Sequence, residues 1–177
     1  MPCLNRGMKK EPRDNAIMRK MFFLTRRYYH TANPVPFCSQ VSHTRSGRTI
    51  VVALNRVVSD CDPTAHAEVR AIRLACTKLG RAELSGCTLH TTCEPCPMCM
   101  TACLFAGLDR VVYGTVVRPP DSSRPPLYPY GAKEFTASSV FTCVVDGPVE
   151  EKLCRSLVDD PVVQKYIGEQ GRKGIFI

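Results

Sequence analysis

Between residues 38 and 115, short apolar runs of strand character alternate with longer segments that open on a cap or a proline and close on a glycine. This alternation restricts the fold of the 177-residue chain more than any other feature. Strands separated by helix-length segments build one sheet with helices on both faces, so the class is α/β. Strands are expected near 38–43, 48–54, 87–91 and 110–113, and a last one from Val140 to Val145. Arg45-Ser46-Gly47-Arg48 has the composition of a turn between the first two. One helix is expected from Asp14 to about His30, with Asp14 as cap and Ile17, Met21 and Leu24 as its apolar stripe. A second runs from Asp62-Pro63-Thr64 to Leu79 and stops at Gly80. A third runs from Pro95 to about Ala106 and stops at Gly107, and one or two more fall between 149 and 168. Residues 118–131 carry five prolines and read as a loop long enough to serve as a lid or a binding surface.

The length suits one domain. Residues 1–13 read as a basic flexible arm and 14–177 as a single domain. No apolar run approaches the ~18 residues of a spanning helix. Eleven cysteines cannot all pair within the chain, and a chain of this length needs no disulfide framework. Reduced thiols are expected, some of them holding metal.

The charge is lopsided. Residues 1–31 hold eight basic and two acidic side chains, and the rest of the chain is nearly balanced. A solvated tail, a contact to nucleic acid through clustered Lys and Arg, and a mitochondrial transit peptide are the three readings. Glu11 and Asp14 count against the transit peptide, and no secretory signal is visible, so a cytoplasmic location is expected and a mitochondrial one is its alternative.

Two expected helix starts carry the chemistry. One holds His66-Ala67-Glu68 and the other Pro95-Cys96-Pro97-Met98-Cys99. Cys96 and Cys99 are spaced i, i+3, hence on one helix face. Two thiolates and an imidazole can hold zinc at about 2.3 Å and 2.0–2.1 Å and leave one tetrahedral position open, which marks catalytic rather than structural zinc. A helix N-terminus favours the thiolate form that the metal requires. Zinc lowers the pKa of a bound water to about 7. Glu68 is poorly placed as a fourth ligand but able to reach over the open position and carry protons.

His-x-Glu followed by Pro-Cys-x-x-Cys resembles the signature of zinc nucleobase deaminases. The longer segments Asn55-Arg56-Val57-Val58, Asp62-Pro63-Thr64-Ala65-His66-Ala67-Glu68 and Cys93-Glu94-Pro95-Cys96-Pro97-Met98-Cys99 look like the guanine and guanosine deaminase branch of the cytidine deaminase-like superfamily, over roughly residues 35–115. The bacterial-type tRNA adenosine deaminases come next and the fungal-type cytosine deaminases third. The resemblance implies a three-layer α/β/α sandwich around a mixed five-stranded sheet, a homodimer, and C-terminal residues that close the site. It implies Zn2+ on His66, Cys96 and Cys99, with Glu68 as proton carrier. Asn55, Phe37 and the Ala67 N–H would hold the base. The expected reaction is hydrolytic deamination of a small purine, guanine to xanthine first. The alternatives are tRNA adenosine to inosine, with the basic N-terminal residues holding the tRNA, and deamination of cytosine or another nucleoside. A non-catalytic zinc-binding partner subunit is the non-enzyme alternative, and an intact Glu68 argues against it.

The chain also departs from the family pattern. Cys38, Ser39 and Gln40 follow Pro36-Phe37 where Gly and Ala are usual, and no Phe-Asp-Asp-like acidic segment lies downstream. Asp121, Glu134, Asp146 and Glu150 are therefore the candidates for reading the guanine edge. Cys38, Cys61, Cys76, Cys87, Cys103, Cys143 and Cys154 are expected as small buried hydrophobes. Cys3 is expected to be exposed, and Cys93 to point away from the metal. His30, His43 and His90 are expected to be structural or solvent-facing. Glu94 is expected to stabilise the helix beside it, an effect of about 0.3–1 kcal/mol. Phe176 is a lid aromatic or part of a frayed end.

Overall fold

The computed structural model describes residues 12–28, 34–35, 37–116 and 130–174. Five strands form one mixed sheet: β1 (Cys38–His43), β2 (Thr49–Leu54), β3 (Cys87–Cys93), β4 (Arg110–Thr115) and β5 (Val144–Asp146). Their order is β2-β1-β3-β4-β5. β1 pairs antiparallel with β2 and β3, and β4 pairs parallel with β3 and β5. The helices are α1 (Pro12–Arg26), α2 (Val57–Asp60), α3 (Ala67–Leu79), α4 (Pro97–Phe105), α5 (Ala132–Ala137), α6 (Glu151–Val158) and α7 (Pro161–Arg172).

Alternation along the strands separates the layers, because successive side chains point to opposite faces. Val41, Leu89 and Val111 join the main core with Ala71, Ile72 and Ala75 of α3 and Met100 and Cys103 of α4. The next residue on β4, Val112, packs instead with Met18 of α1 and Cys154 of α6. Thus α3 and α4 cover one face, and α1 and α6 the other. The three-layer α/β/α sandwich expected from the sequence is present. β3 lies at its centre, buried along all seven residues. β2 and β3 run in the same direction, since each is antiparallel to β1. Each leads onward to a helix over the same face, so the N-termini of α3 and α4 come together.

Several boundaries differ from expectation. Asp62-Pro63-Thr64 does not begin α3. The Asp62 carboxylate accepts bonds from the Thr64 N–H and hydroxyl, both 2.7 Å, so these residues form a turn that delivers His66 as the N-cap. Likewise Cys96, not Pro95, precedes α4 as N-cap. Gly80 closes α3 in the left-handed region (φ 65), which only glycine occupies at no steric cost. Of the strand expected at 140–145, only Val144–Asp146 pairs with β4, and Val140 is exposed. The short helices α2 and α5 were not expected. Cys61 is exposed, ending α2 at φ 50 rather than filling the core. Residues 118–129 of the Pro-rich loop, His30, Phe176, Cys3 and most of the basic arm lie outside the described residues.

α1 begins at Pro12, so Asp14 is inside the helix rather than its cap. The buried stripe is Asp14, Met18, Met21, Phe22 and Thr25, shifted from the expected one. The cause is Asp14, which the sheet receives as a buried acid. His90 Nε2 donates to its Oδ1 at 2.9 Å, and the Arg110 guanidinium donates to both oxygens at 3.0 and 2.8 Å. Arg110 also donates to Asp146 on β5 at 2.6 Å. Burial favours the neutral acid, but the bonds from His90 and Arg110 outweigh it and hold the Asp14 carboxyl well below the usual range. His90 is therefore structural, tying α1 to the central strand.

Removing one partner of a buried charged pair costs about 3–5 kcal/mol, because the other charge is left uncompensated. Asp14→Ala should lose stability of that order in urea unfolding at pH 7. A carboxyl depressed in the folded state stabilises it fully above its unfolded value of about 3.9, and that contribution disappears as pH falls through the folded value. The advantage of wild type over Asp14→Asn should therefore shrink steadily from pH 5 to pH 2.

Candidate metal centre

The two helix starts expected to carry the chemistry meet in space. His66 Nδ1 lies 3.9 Å from Cys96 Sγ and 3.6 Å from Cys99 Sγ. All three ligand atoms fall within 4.8 Å of one another. Metal bonds of about 2.05 and 2.3 Å at tetrahedral angles set N···S edges of about 3.5–3.6 Å. The observed spacing is therefore close to what zinc needs, with little movement of the side chains. Neither N-cap side chain is spent on its own helix, so both remain available as ligands. Two soft sulfurs with one imidazole suit zinc by chemistry as well as by distance. Cys93 is not part of the cluster; it is buried at the end of β3, where desolvation pushes its thiol well up.

The side chains themselves favour one thiolate. The Cys99 thiol's hydrogen bond, with help from His66, holds the Cys96 thiol down to about 4 against its burial. The same bond and burial raise Cys99. Burial opposes the His66 imidazolium, but Cys96 and Glu68 together raise it. The partial positive charge of the two helix starts favours the thiolate, and the thiolate in turn prepares the cluster for a cation.

Glu68 is buried against this cluster. Its Oε2 accepts from Cys99 Sγ at 3.6 Å, and its Oε1 accepts from the Thr91 hydroxyl at 3.1 Å. Burial raises the carboxyl above its ordinary value. Thr91 escaped the sequence reading. The signal was there: with period two it shares the face of Leu89 on β3, the face turned to α3 and α4.

The expected base-binding residues surround the approach to α3. Asn55 is buried; its Oδ1 accepts from the Val57 N–H at 3.1 Å, and its Nδ2 has no partner among the described residues. Its own N–H donates to the Phe37 carbonyl at 3.1 Å, which joins these two residues, and Phe37 is half-buried. Arg56 N–H donates to the Ala65 carbonyl at 2.9 Å, fixing this segment beside His66. Ala67 is fully buried as the first residue of α3, where a helix N–H has no partner within the helix.

The candidates for the guanine edge fare differently. Glu134 Oε2 accepts from Gly131 N, Asp146 accepts from Arg110, and Glu150 accepts from Arg19. All three are engaged elsewhere, and Asp121 lies outside the described residues. A cavity of about 460 Å³ lies on the α1–α6 side, lined by Phe22, Arg26, Lys152 and Arg155 among others, and includes none of the cluster. Ligand geometry rather than cavity size therefore locates the chemistry.

Comparison with known proteins agrees with this arrangement. The family described as the cytidine and deoxycytidylate deaminase zinc-binding region matches residues 11–115. The guanine deaminase of Bacillus subtilis is 49% identical over 69 residues, 39% of this chain and 44% of that protein. A tRNA-specific adenosine deaminase of Agrobacterium fabrum is 47% identical over 68 residues, 38% of this chain and 45% of that protein. The chain thus spans under half the length of these curated relatives. A crystal structure of a mutant protein in complex with 8-azaguanine superposes with a TM-score of 0.71 at 25% identity, covering 85% of each chain.

Metal analysis of purified variants separates the cysteines. Cys99→Ala should carry far less than one zinc per chain, whereas Cys93→Ala should keep the wild-type content.

Proposed function

The chain belongs to the cytidine and deoxycytidylate deaminase zinc-binding family, and from that premise we propose that it deaminates guanine hydrolytically to xanthine and ammonia. It is a zinc-dependent deaminase by family; the substrate is the proposal. The observation that carries the proposal is a buried carboxyl, Glu68, in contact with Cys99 of a cluster of three metal-ligand atoms, together with a buried Asn55 whose Nδ2 has no partner among the described residues. The 49% identity to a guanine deaminase and the likeness to a protein crystallised with 8-azaguanine support guanine as the base.

Zinc held by His66, Cys96 and Cys99 supplies Lewis acidity and a water with its pKa lowered to about 7. The protein's own groups do the rest. Asn55 Nδ2 donates to an acceptor on the base, and the Ala67 N–H donates to a second. Phe37 lines the pocket beside Asn55. Glu68 takes one proton from the attacking water at one carboxylate oxygen while Thr91 holds the other, and gives it to the ring nitrogen; it then takes a second proton, from the hydroxyl added to the ring carbon, and gives it to the departing amine. Burial suits Glu68 to this, because it pushes the carboxyl above its ordinary value and so strengthens its hold on the proton it must carry.

Adenosine within tRNA is the second reading. It is favoured by the exposed cations Lys20 and Arg26 of α1 and Arg27 just after it, and by Lys152 and Arg155 at the cavity beside them. A homodimer is also proposed. Phe105 is 72% exposed and meets Phe141 edge-on, leaving an apolar patch on the α4 side fit for a second copy.

Glu68→Gln should keep zinc yet lose turnover by at least about a hundredfold, since proton transfer contributes 10²–10⁴. Guanine, guanosine, adenine, cytosine, cytidine and a tRNA anticodon stem, each assayed for ammonia release, should single out guanine. Turnover of the stem alone would replace guanine by the second reading. Asn55→Ala should weaken guanine turnover about tenfold or more, the cost of one buried hydrogen bond to a ligand.

A further inference from the structure

Three residues, Glu94-Pro95-Cys96, connect the end of β3 to the start of α4. They set where the Cys96 sulfur lies. Pro95 and Pro97 have no N–H, so this turn has few donors with which to attach itself to its surroundings. Glu94 supplies the attachment twice. Its N–H donates to the Thr115 carbonyl at the end of β4, 2.7 Å away. Its carboxylate Oε1 accepts from the Ala132 N–H at the start of α5, 2.9 Å away. Ala132 is itself buried in the main core, so the carboxylate is bonded to a fixed point. The residue before it, Gly131, leaves room for this bond: a Cβ there would stand 2.9 Å from Glu94 Oε1, so the carboxylate would have to shift. Gly131 has an ordinary φ of −74, so the effect of a side chain there is one of space rather than backbone conformation.

The sequence pattern places Glu94 beside α4 and suggests a favourable charge at that helix's start. Its carboxylate in fact reaches a different helix. We propose that Glu94 is a positioning residue for the metal centre, and that its bond to the α5 N-terminus fixes the turn carrying Cys96. This rests on Cys96 being a zinc ligand and on no particular substrate. The carboxylate acts as a hydrogen-bond acceptor two residues from the sulfur, so its geometry matters and its charge does not.

Partners that orient metal ligands typically govern about 10–100-fold in metal affinity. The zinc-loaded protein is mixed with an excess of a chromophoric chelator, and the rate of zinc release is followed well below the unfolding temperature. Glu94→Ala should release zinc at least about tenfold faster than wild type. Glu94→Gln should stay within about twofold, because its amide oxygen also accepts from the Ala132 N–H. Gly131→Ala, which leaves Glu94 intact but makes its carboxylate shift, should speed release in the same direction and by no more than Glu94→Ala. The double variant Glu94→Ala/Gly131→Ala should be no worse than Glu94→Ala, since both changes break one bond. Release at the wild-type rate from Glu94→Ala, a Gln variant as fast as the Ala variant, or additive effects of the two changes would each overturn the proposal. Wild-type protein that holds no zinc would instead remove the zinc reading on which it rests.

Discussion

Everything in the site depends on two helix N-termini meeting at one end of the sheet. β2 and β3 point the same way on either side of β1, and the helices that follow them cover the same face. Their N-caps, His66 and Cys96, therefore face one another, and Cys99 follows one turn into α4. Two partial positive charges of helix ends converge there, which would be unfavourable without negative charge between them. The Cys96 thiolate brings that negative charge, and the cluster in turn is suited to a cation.

The other side of the sheet is held by a different device. α1 and α6 pack through Met18, Cys154 and Val149 against Val112, and Asp14 binds His90 and Arg110 inside that layer. This network sits on the strand, β3, whose far end carries Cys93, Glu94 and the turn to Cys96. Arg19 and Glu150 add a surface pair between α1 and the start of α6, and exposed pairs of that kind contribute at most about 1 kcal/mol. The buried acid therefore matters far more to keeping α1 on the sheet.

The architecture was legible where local pattern and tertiary role agree. The runs 50–54 and 111–113 are apolar because the sheet buries or partly buries them, and Gly80 marks a real helix end. Legibility failed where a polar residue serves a distant partner. Asp14 looks like a cap, and Asp62-Pro63-Thr64 looks like a helix start. One is a buried ligand for Arg110, and the other a turn closed by its own hydroxyl and N–H bonds. Glu134, Asp146 and Glu150 looked free to read a base; Glu134 instead caps its own helix at Gly131, and Asp146 and Glu150 have distant partners that no spacing reveals. In the site itself, the two motifs pointed to the three residues that meet in space and to Glu68 beside Cys99, because spacing along the chain and position at helix starts bring them together. Thr91 and the reach of Glu94 to α5 depend on strand register and on a helix that local pattern does not announce.

The central claim is a zinc ion with three protein ligands and one position left open for chemistry. X-ray absorption at the zinc edge of the purified protein measures that shell directly. The account predicts two sulfurs at about 2.3 Å, one imidazole nitrogen at about 2.0–2.1 Å and one further light atom that exchanges with solvent. A shell of three or four sulfurs, or one closed by four protein ligands, would contradict it.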